Sequence, residues 1–200
     1  MFDYPKESGL EIIKELVEDD KSLSRIYGFI LYTDADPYVV KVLRDTDFWN
    51  ALNKISGNNW PIFAVRPLQK GYMKYPELDY KTIGFLYPIW VEPDDNLHVI
   101  QDFGLENSKE FPLFVAFMWD DENYLHKITV PILGNDVDSV YKSLKLIVET
   151  ITEVENKISP ENKRSVTVFR EVEKELLSQE MTTKIINCGK NVAKLINYLH

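Results

Sequence analysis

Cysteine is nearly missing from this chain. Cys188 is the single thiol among 200 residues, which excludes an internal disulfide framework and a cysteine-based zinc site. In a helical C-terminal segment it reads as a buried structural thiol. Histidine is almost as scarce: His98, His126 and His200 are scattered, with no helical partner at metal spacing, so each reads as structural or solvent-exposed. There is no Gly-x-Ser-x-Gly elbow, no Gly-rich phosphate loop and no Cys/His pair. Dense Lys/Arg runs are missing too, and the net charge of −9 disfavours non-specific binding to nucleic acid or to an anionic membrane. No apolar run approaches the roughly 20 residues that span a bilayer. The N-terminal MFDYPKESGLEII has neither a basic n-region nor a long apolar h-region. These absences set the expectation of an acidic, cytoplasmic protein with no cofactor, no nucleic-acid partner and no membrane partner.

What is present is a core. An apolar share of 44% with 12% aromatics is ample for packing and argues against wholesale disorder. The length fits one domain with additions, or at most two small ones. Residues 7–20 (ESGLEIIKELVEDD) carry Leu10, Ile12, Ile13, Leu16 and Val17 at helical spacing, with Ser8 as N-cap and Glu11 three residues on. Residues 26–32 (IYGFILY) are apolar throughout and predict a central strand. Residues 38–56 predict one helix, or two joined near Asp45 to Asp47, broken by Asn58-Asn59. Residues 60–68 (WPIFAVRPL) and 82–91 (TIGFLYPIWV) predict strands, the second interrupted by Pro88. The tyrosine-rich stretch 70–80 between them reads as a loop. A short helix opens at Asp94-Asp95-Asn96 and runs through Phe103.

The stretch 99–133, VIQDFGLENSKEFPLFVAFMWDDENYLHKITVPIL, organises the rest. Residues 113–119 (LFVAFMW) form an uninterrupted apolar run of strand length. Residues 120–123 (DDEN) have turn composition, and residues 124–133 alternate as an antiparallel return strand. Pro112, unable to donate to a ladder, belongs at a strand's first position or on an edge. Asn135 or Asp136 then caps a helix with Val137, Val140, Tyr141, Leu144, Ile147, Val148, Ile151 and Val154 on one side, ended by Ser159-Pro160. Two further helical segments, 166–177 and 181–199, follow.

The order of these elements, with the pattern QDFGLENSKEFPLFVAF…YLHKITVPI, resembles the second half of a thioredoxin-like domain. In that resemblance Phe103-Gly104-Leu105 is the helix exit, Phe111-Pro112 the cis-proline pair, and residues 136–158 the closing helix. It implies an α/β fold with a mixed central sheet flanked by helices, here with an N-terminal helix and a C-terminal helical extension: residues 1–158 and 159–200. One strand is surplus between the first helix and the proline; either 60–68 or 82–91 is an insertion. Aligned on the first strand's exit, FILYTDADPYVVK puts Asp36 and Val39 where the family keeps its reactive thiols. Dithiol exchange needs a thiolate attacker, so the resemblance implies a redox-inactive member.

Asp34 and Asp36 also invite a metal reading. An apolar strand ending in Asp-x-Asp resembles the opening motif of haloacid-dehalogenase-type phosphatases and the Asp-x-Asp of metal-dependent glycosyltransferases, where paired carboxylates hold Mg²⁺; Asp120 would be the further ligand. Against it, Pro37-Tyr38 stands where the phosphatase pattern wants Thr or Val, and only about thirty residues precede Asp34, too few for a nucleotide-binding unit. The capping account competes: Asp36 as N-cap with Pro37 at N1, and Asp120-Asp121 as a hairpin tip. The aromatic supply Tyr72, Tyr75, Tyr80, Phe85, Tyr87 and Trp90 fits either an interface or cover for a sheet.

The leading expectation is a non-catalytic protein-binding or scaffold module, with a groove formed by Asp34, Asp36, Pro37, Tyr38, Phe111 and Pro112, and with Glu110 and Leu113 at its margin. The alternative is a Mg²⁺-dependent enzyme of phosphatase or glycosyltransferase type using Asp34, Asp36 and Asp120. A third reading is homo-oligomer assembly through the C-terminal helices.

Overall fold

The computed structural model describes residues 26–33, 35–56, 60–64, 72–74, 89–91, 100–105, 111–122, 124–158 and 166–188, with the backbone alone at 72–74, 89–91 and 186–188. In chain order the elements are β1 (Tyr27–Leu31), α1 (Pro37–Arg44), α2 (Thr46–Ser56), β2 (Ile62–Ala64), β3 (Tyr72–Lys74), β4 (Ile89–Val91), β5 (Leu113–Trp119), β6 (Leu125–Pro131), α3 (Val137–Lys157), α4 (Val166–Leu176) and α5 (Gln179–Cys188). The order of the main sheet is β2-β1-β5-β6. β1 pairs parallel with β2 and antiparallel with β5, which pairs antiparallel with β6. The result is a four-strand mixed sheet flanked by helices.

β1 and β5 are central because neither has a polar side to turn toward water. Every residue of β1 is buried, and β5 is buried from Leu113 to Met118. With a two-residue repeat, their side chains divide between the two faces of the sheet. Ile30, Phe114, Ala116 and Met118 join Ile128 and Val130 of β6 in one cluster with Val39, Val42, Leu52, Leu144, Ile147 and Ile151 of α1, α2 and α3. Tyr27, Phe29, Leu31, Val115 and Phe117 join Ile100, Phe103 and Leu105 on the opposite face. The second cluster is built from rings: Phe29 stacks on Phe117 at 5.4 Å, and Phe103 meets both edge-on.

Gly28 is required by close packing. A Cβ there would lie 2.6 Å from the Phe114 ring and 2.9 Å from the Trp60 ring, which meet edge-to-face over it. Trp60 is buried, and its indole N–H donates to Thr152 Oγ1 of α3 at 3.1 Å. β1, the start of β2 and α3 are thereby fastened at one point.

Residues 38–56 form two helices that meet at Asp45. The Asp45 Oδ1 accepts from the backbone N–H of Asp47 and Phe48, so one residue both ends α1 and caps α2. Asp136 caps α3 as a capping box, its carboxylate accepting from Ser139 N at 2.7 Å while Ser139 Oγ accepts from the Asp136 N–H. Gly134 (φ +157) lets the chain turn into that helix; a Cβ would stand 2.6 Å from the Val140 backbone nitrogen.

Three expectations change against this fold. The tyrosine-rich stretch 70–80 is not all loop: Tyr72–Lys74 is a strand paired antiparallel with Ile89–Val91. The expected strands at 60–68 and 82–91 do not share a sheet. Ile62–Ala64 belongs to the main sheet, whereas Ile89–Val91 lies in a separate two-stranded ribbon. Third, α4 and α5 bury Val168, Phe169, Val172, Leu176, Met181 and Ile185 in the same cluster as α3, so their apolar stripe faces their own chain. The expected helix at 7–20, the start of the one at 94–103 and the segment 189–199 lie outside the described residues.

Candidate functional site

The site begins where β1 runs out of apolar residues. After Tyr32, buried at 1% exposure, the chain turns through Thr33 to Asp36 and enters α1 at Pro37. Asp36 occupies the N-cap and Pro37 the first turn, as the sequence implies. The bonding differs from a side-chain cap. The Asp36 Oδ2 faces back, accepting from Thr33 N and from Thr33 Oγ1, both at 2.8 Å. The Asp36 N–H donates to the Thr33 carbonyl at 3.0 Å. The two residues close a turn around each other, and the α1 terminus receives no hydrogen bond from the Asp36 side chain. The Thr-x-x-Asp spacing was the available signal for this, and reasoning from capping preference alone passed over Thr33. Asp34 lies outside the described residues.

Beyond Pro37, Tyr38 is 37% exposed, while Val39 is buried among the core residues of the α1 and α3 side. The two positions that the resemblance would align with reactive thiols are a turn-closing carboxylate and a core valine. Neither is a nucleophile poised at a helix N-terminus. The backbone of Cys188 belongs to α5, far along the chain from this turn.

The second part of the site comes from the start of β5. Leu31 pairs with Leu113 in the antiparallel register, so Pro112 lies beside the exit of β1. The Phe111–Pro112 peptide is cis. Lacking an N–H, Pro112 uses its carbonyl, which accepts from Ile132 N at 3.0 Å. Phe111 is half-buried and packs on the aromatic cluster of the second face. The approach to this loop is fixed by the helix end at 100–105. Gly104 (φ +53) accompanies bonds from Gly104 N to Gln101 O and from Leu105 N to Ile100 O, the paired closure of a Schellman motif. Lys127 of β6 donates to the carbonyls of Phe103 and Gly104, adding a cation at the negative end of that helix. The segment after β1 (Asp36, Pro37, Tyr38) and the residues before β5 (Phe111, Pro112) thus lie at the same end of the sheet, with α1 packed on one face and Phe111 on the other.

Asp120 does not join them. β5 runs antiparallel to β1, so its far end, at Asp120, is separated from Pro112 by the strand's full length, about 26 Å at 3.3 Å per residue. One ion cannot bridge Asp36 and Asp120, and Asp34, the third carboxylate of that set, lies outside the described residues. Asp120 has local work instead. Its Oδ1 accepts from Glu122 N and Tyr124 N at 2.9 Å, and its Oδ2 meets His126 Nε2 at 2.8 Å. The His126 hydrogen bond, with the backbone N–H of Tyr124 and Glu122, holds the Asp120 carboxyl below the usual aspartate range. Among the described residues there is no group of three or more His, Cys, Asp or Glu side chains that could hold a metal ion. Among them, too, no helix is long and apolar enough to cross a membrane.

Compared with protein-family models, with curated proteins and with solved structures, the chain gives no match.

Proposed function

We propose that this chain is a thioredoxin-like binding or scaffold module that does no thiol chemistry, and that it takes a protein partner in the groove between the α1 start and the Phe111–Pro112 turn. The observation that carries the reading is the Leu31–Leu113 register. It sets Pro112 beside the strand exit that leads into Pro37, the relation the resemblance implies for that fold's site. Supporting it is the strand order β2-β1-β5-β6.

The chemistry of the site favours binding over turnover. Asp36 Oδ2 is engaged by two donors from Thr33, which occupies that carboxylate oxygen within its own turn. Pro37, Tyr38, Phe111 and Pro112 offer apolar and aromatic surface, of which tyrosine is among the side chains enriched where proteins meet. The test is capture of partners from native lysate by the wild-type chain and by Asp36→Ala and Phe111→Ala. At least one partner retained by wild type should be lost from both variants while their circular dichroism is unchanged. Identical partners on all three chains would contradict the groove.

A further inference from the structure

Four residues of α1 are exposed: Pro37, Tyr38, Lys41 and Arg44. They form one stripe, since positions three and four apart share a helix face. The rest of the helix faces inward, with Val39 and Val42 buried and Val40 and Leu43 packed against the core. The exposed stripe therefore consists of a proline, an aromatic and two cations, with no acidic residue in its first turn.

That is unusual in a chain of net charge −9. Four helical lysines elsewhere pair with carboxylates of their own helix: Lys142 with Asp138, Lys145 with Glu149, Lys174 with Glu171 and Lys184 with Glu180. Lys41 instead places its ammonium 6.0 Å from the Tyr38 ring centroid, a cation–π arrangement. Among the described residues neither Lys41 nor Arg44 makes an ion pair. The flanking carboxylates are engaged by their own turns, Asp36 by Thr33 and Asp45 by the first N–H groups of α2.

We infer that the groove takes an acidic peptide segment, one that sets an apolar side chain against Tyr38 and Phe111–Pro112 and carboxylates against Lys41 and Arg44. This rests on the binding-module reading and specifies the partner's chemistry. The stripe from Pro37 to Arg44 is about 10 Å long at 1.5 Å per residue, which three or four residues of extended peptide span. The overall charge of the chain repels acidic peptides at long range, so affinity for one requires local cations and identifies them.

The experiment uses two short fluorescent peptides, one alternating glutamate with leucine and one alternating glutamine with leucine, titrated by anisotropy against the full chain. The glutamate peptide should bind about tenfold more tightly than its glutamine counterpart, and Lys41→Glu with Arg44→Glu should weaken it about tenfold or more. Affinity should also fall as salt is added. Because both cations are exposed, an unchanged melting curve of the double variant confirms that folding is intact. Equal binding of the two peptides, equal binding by the double variant, or no binding of the glutamate peptide up to about 1 mM would each overturn the inference. Failure here is separable from failure of the groove. A captured partner lost from Phe111→Ala but kept by the double variant leaves the groove standing and removes its acidic preference. Glutamate-peptide binding that depends on Lys41 and Arg44 but not on Phe111 does the reverse.

Discussion

Single side chains in this protein close turns that a longer network then depends on. Asp136 closes the start of α3 with Ser139; Asp136→Ala should lower stability by about 0.5–2 kcal/mol, read by chemical denaturation. Gly28→Ala forces the Phe114 and Trp60 rings apart and should cost about 1–3 kcal/mol by overpacking. A smaller loss there would mean the two rings relax freely. Asp120 gives the pH dependence. Its carboxyl titrates below the ordinary value because His126, Tyr124 and Glu122 bond the charged form. The contribution is therefore fully present above the unfolded aspartate pKa, about 3.9, and disappears as pH falls through the lower folded value. Melting temperature should drop more steeply on acidification for wild type than for Asp120→Asn; parallel curves would count against this role. Sequence alone supplied the position of Asp36 but not its bonds, because cap preference names a residue type and Thr33 competes for the same carboxylate.

Among the elements, those with a strong period were legible. The strands at 27–31 and 113–119 announce themselves as apolar runs, and α3 as a long one-sided helix. The break between α1 and α2 was half-visible, since Asp45 is a natural cap in the middle of a continuous apolar pattern. β3 was missed because three residues of a polar, tyrosine-rich stretch give no alternation to detect, and a ribbon of this size is specified by its pairing partner. The fate of α4 and α5 was not legible at all: an amphipathic stripe says that something covers it, and cannot say whether the cover is cis or trans. Here Val168, Phe169, Val172, Leu176, Met181 and Ile185 pack into the core shared with α3. At roughly 1.5–3 kcal/mol for each large side chain, removing them rivals the whole stability of a domain. Truncation after Ile158 should therefore abolish the cooperative thermal transition. A truncated chain that melts as wild type does would show these helices to be dispensable. Assembly through the C-terminal region would have to use residues beyond those buried here.

At the scale of the whole molecule, the sheet order brings two strand ends together that are about eighty residues apart in sequence, and this is why the candidate groove could be anticipated only through the resemblance. The same topology separates Asp36 from Asp120, a separation that no local motif could reveal. With Asp36 and Val39 at the aligned thiol positions, the chain should not accelerate reduction of a disulfide substrate above the buffer rate. Acceleration that Cys188→Ser abolishes would contradict the proposal of a module without thiol chemistry.

The most direct measurement is hydrogen exchange by mass spectrometry on the chain with and without a captured partner. The account predicts slowed exchange confined to peptides covering residues 35–41 and 111–113, with α4 and α5 unchanged. Slowing over residues 166–188, with none at the exit of β1 or the start of β5, would place the partner elsewhere and contradict it.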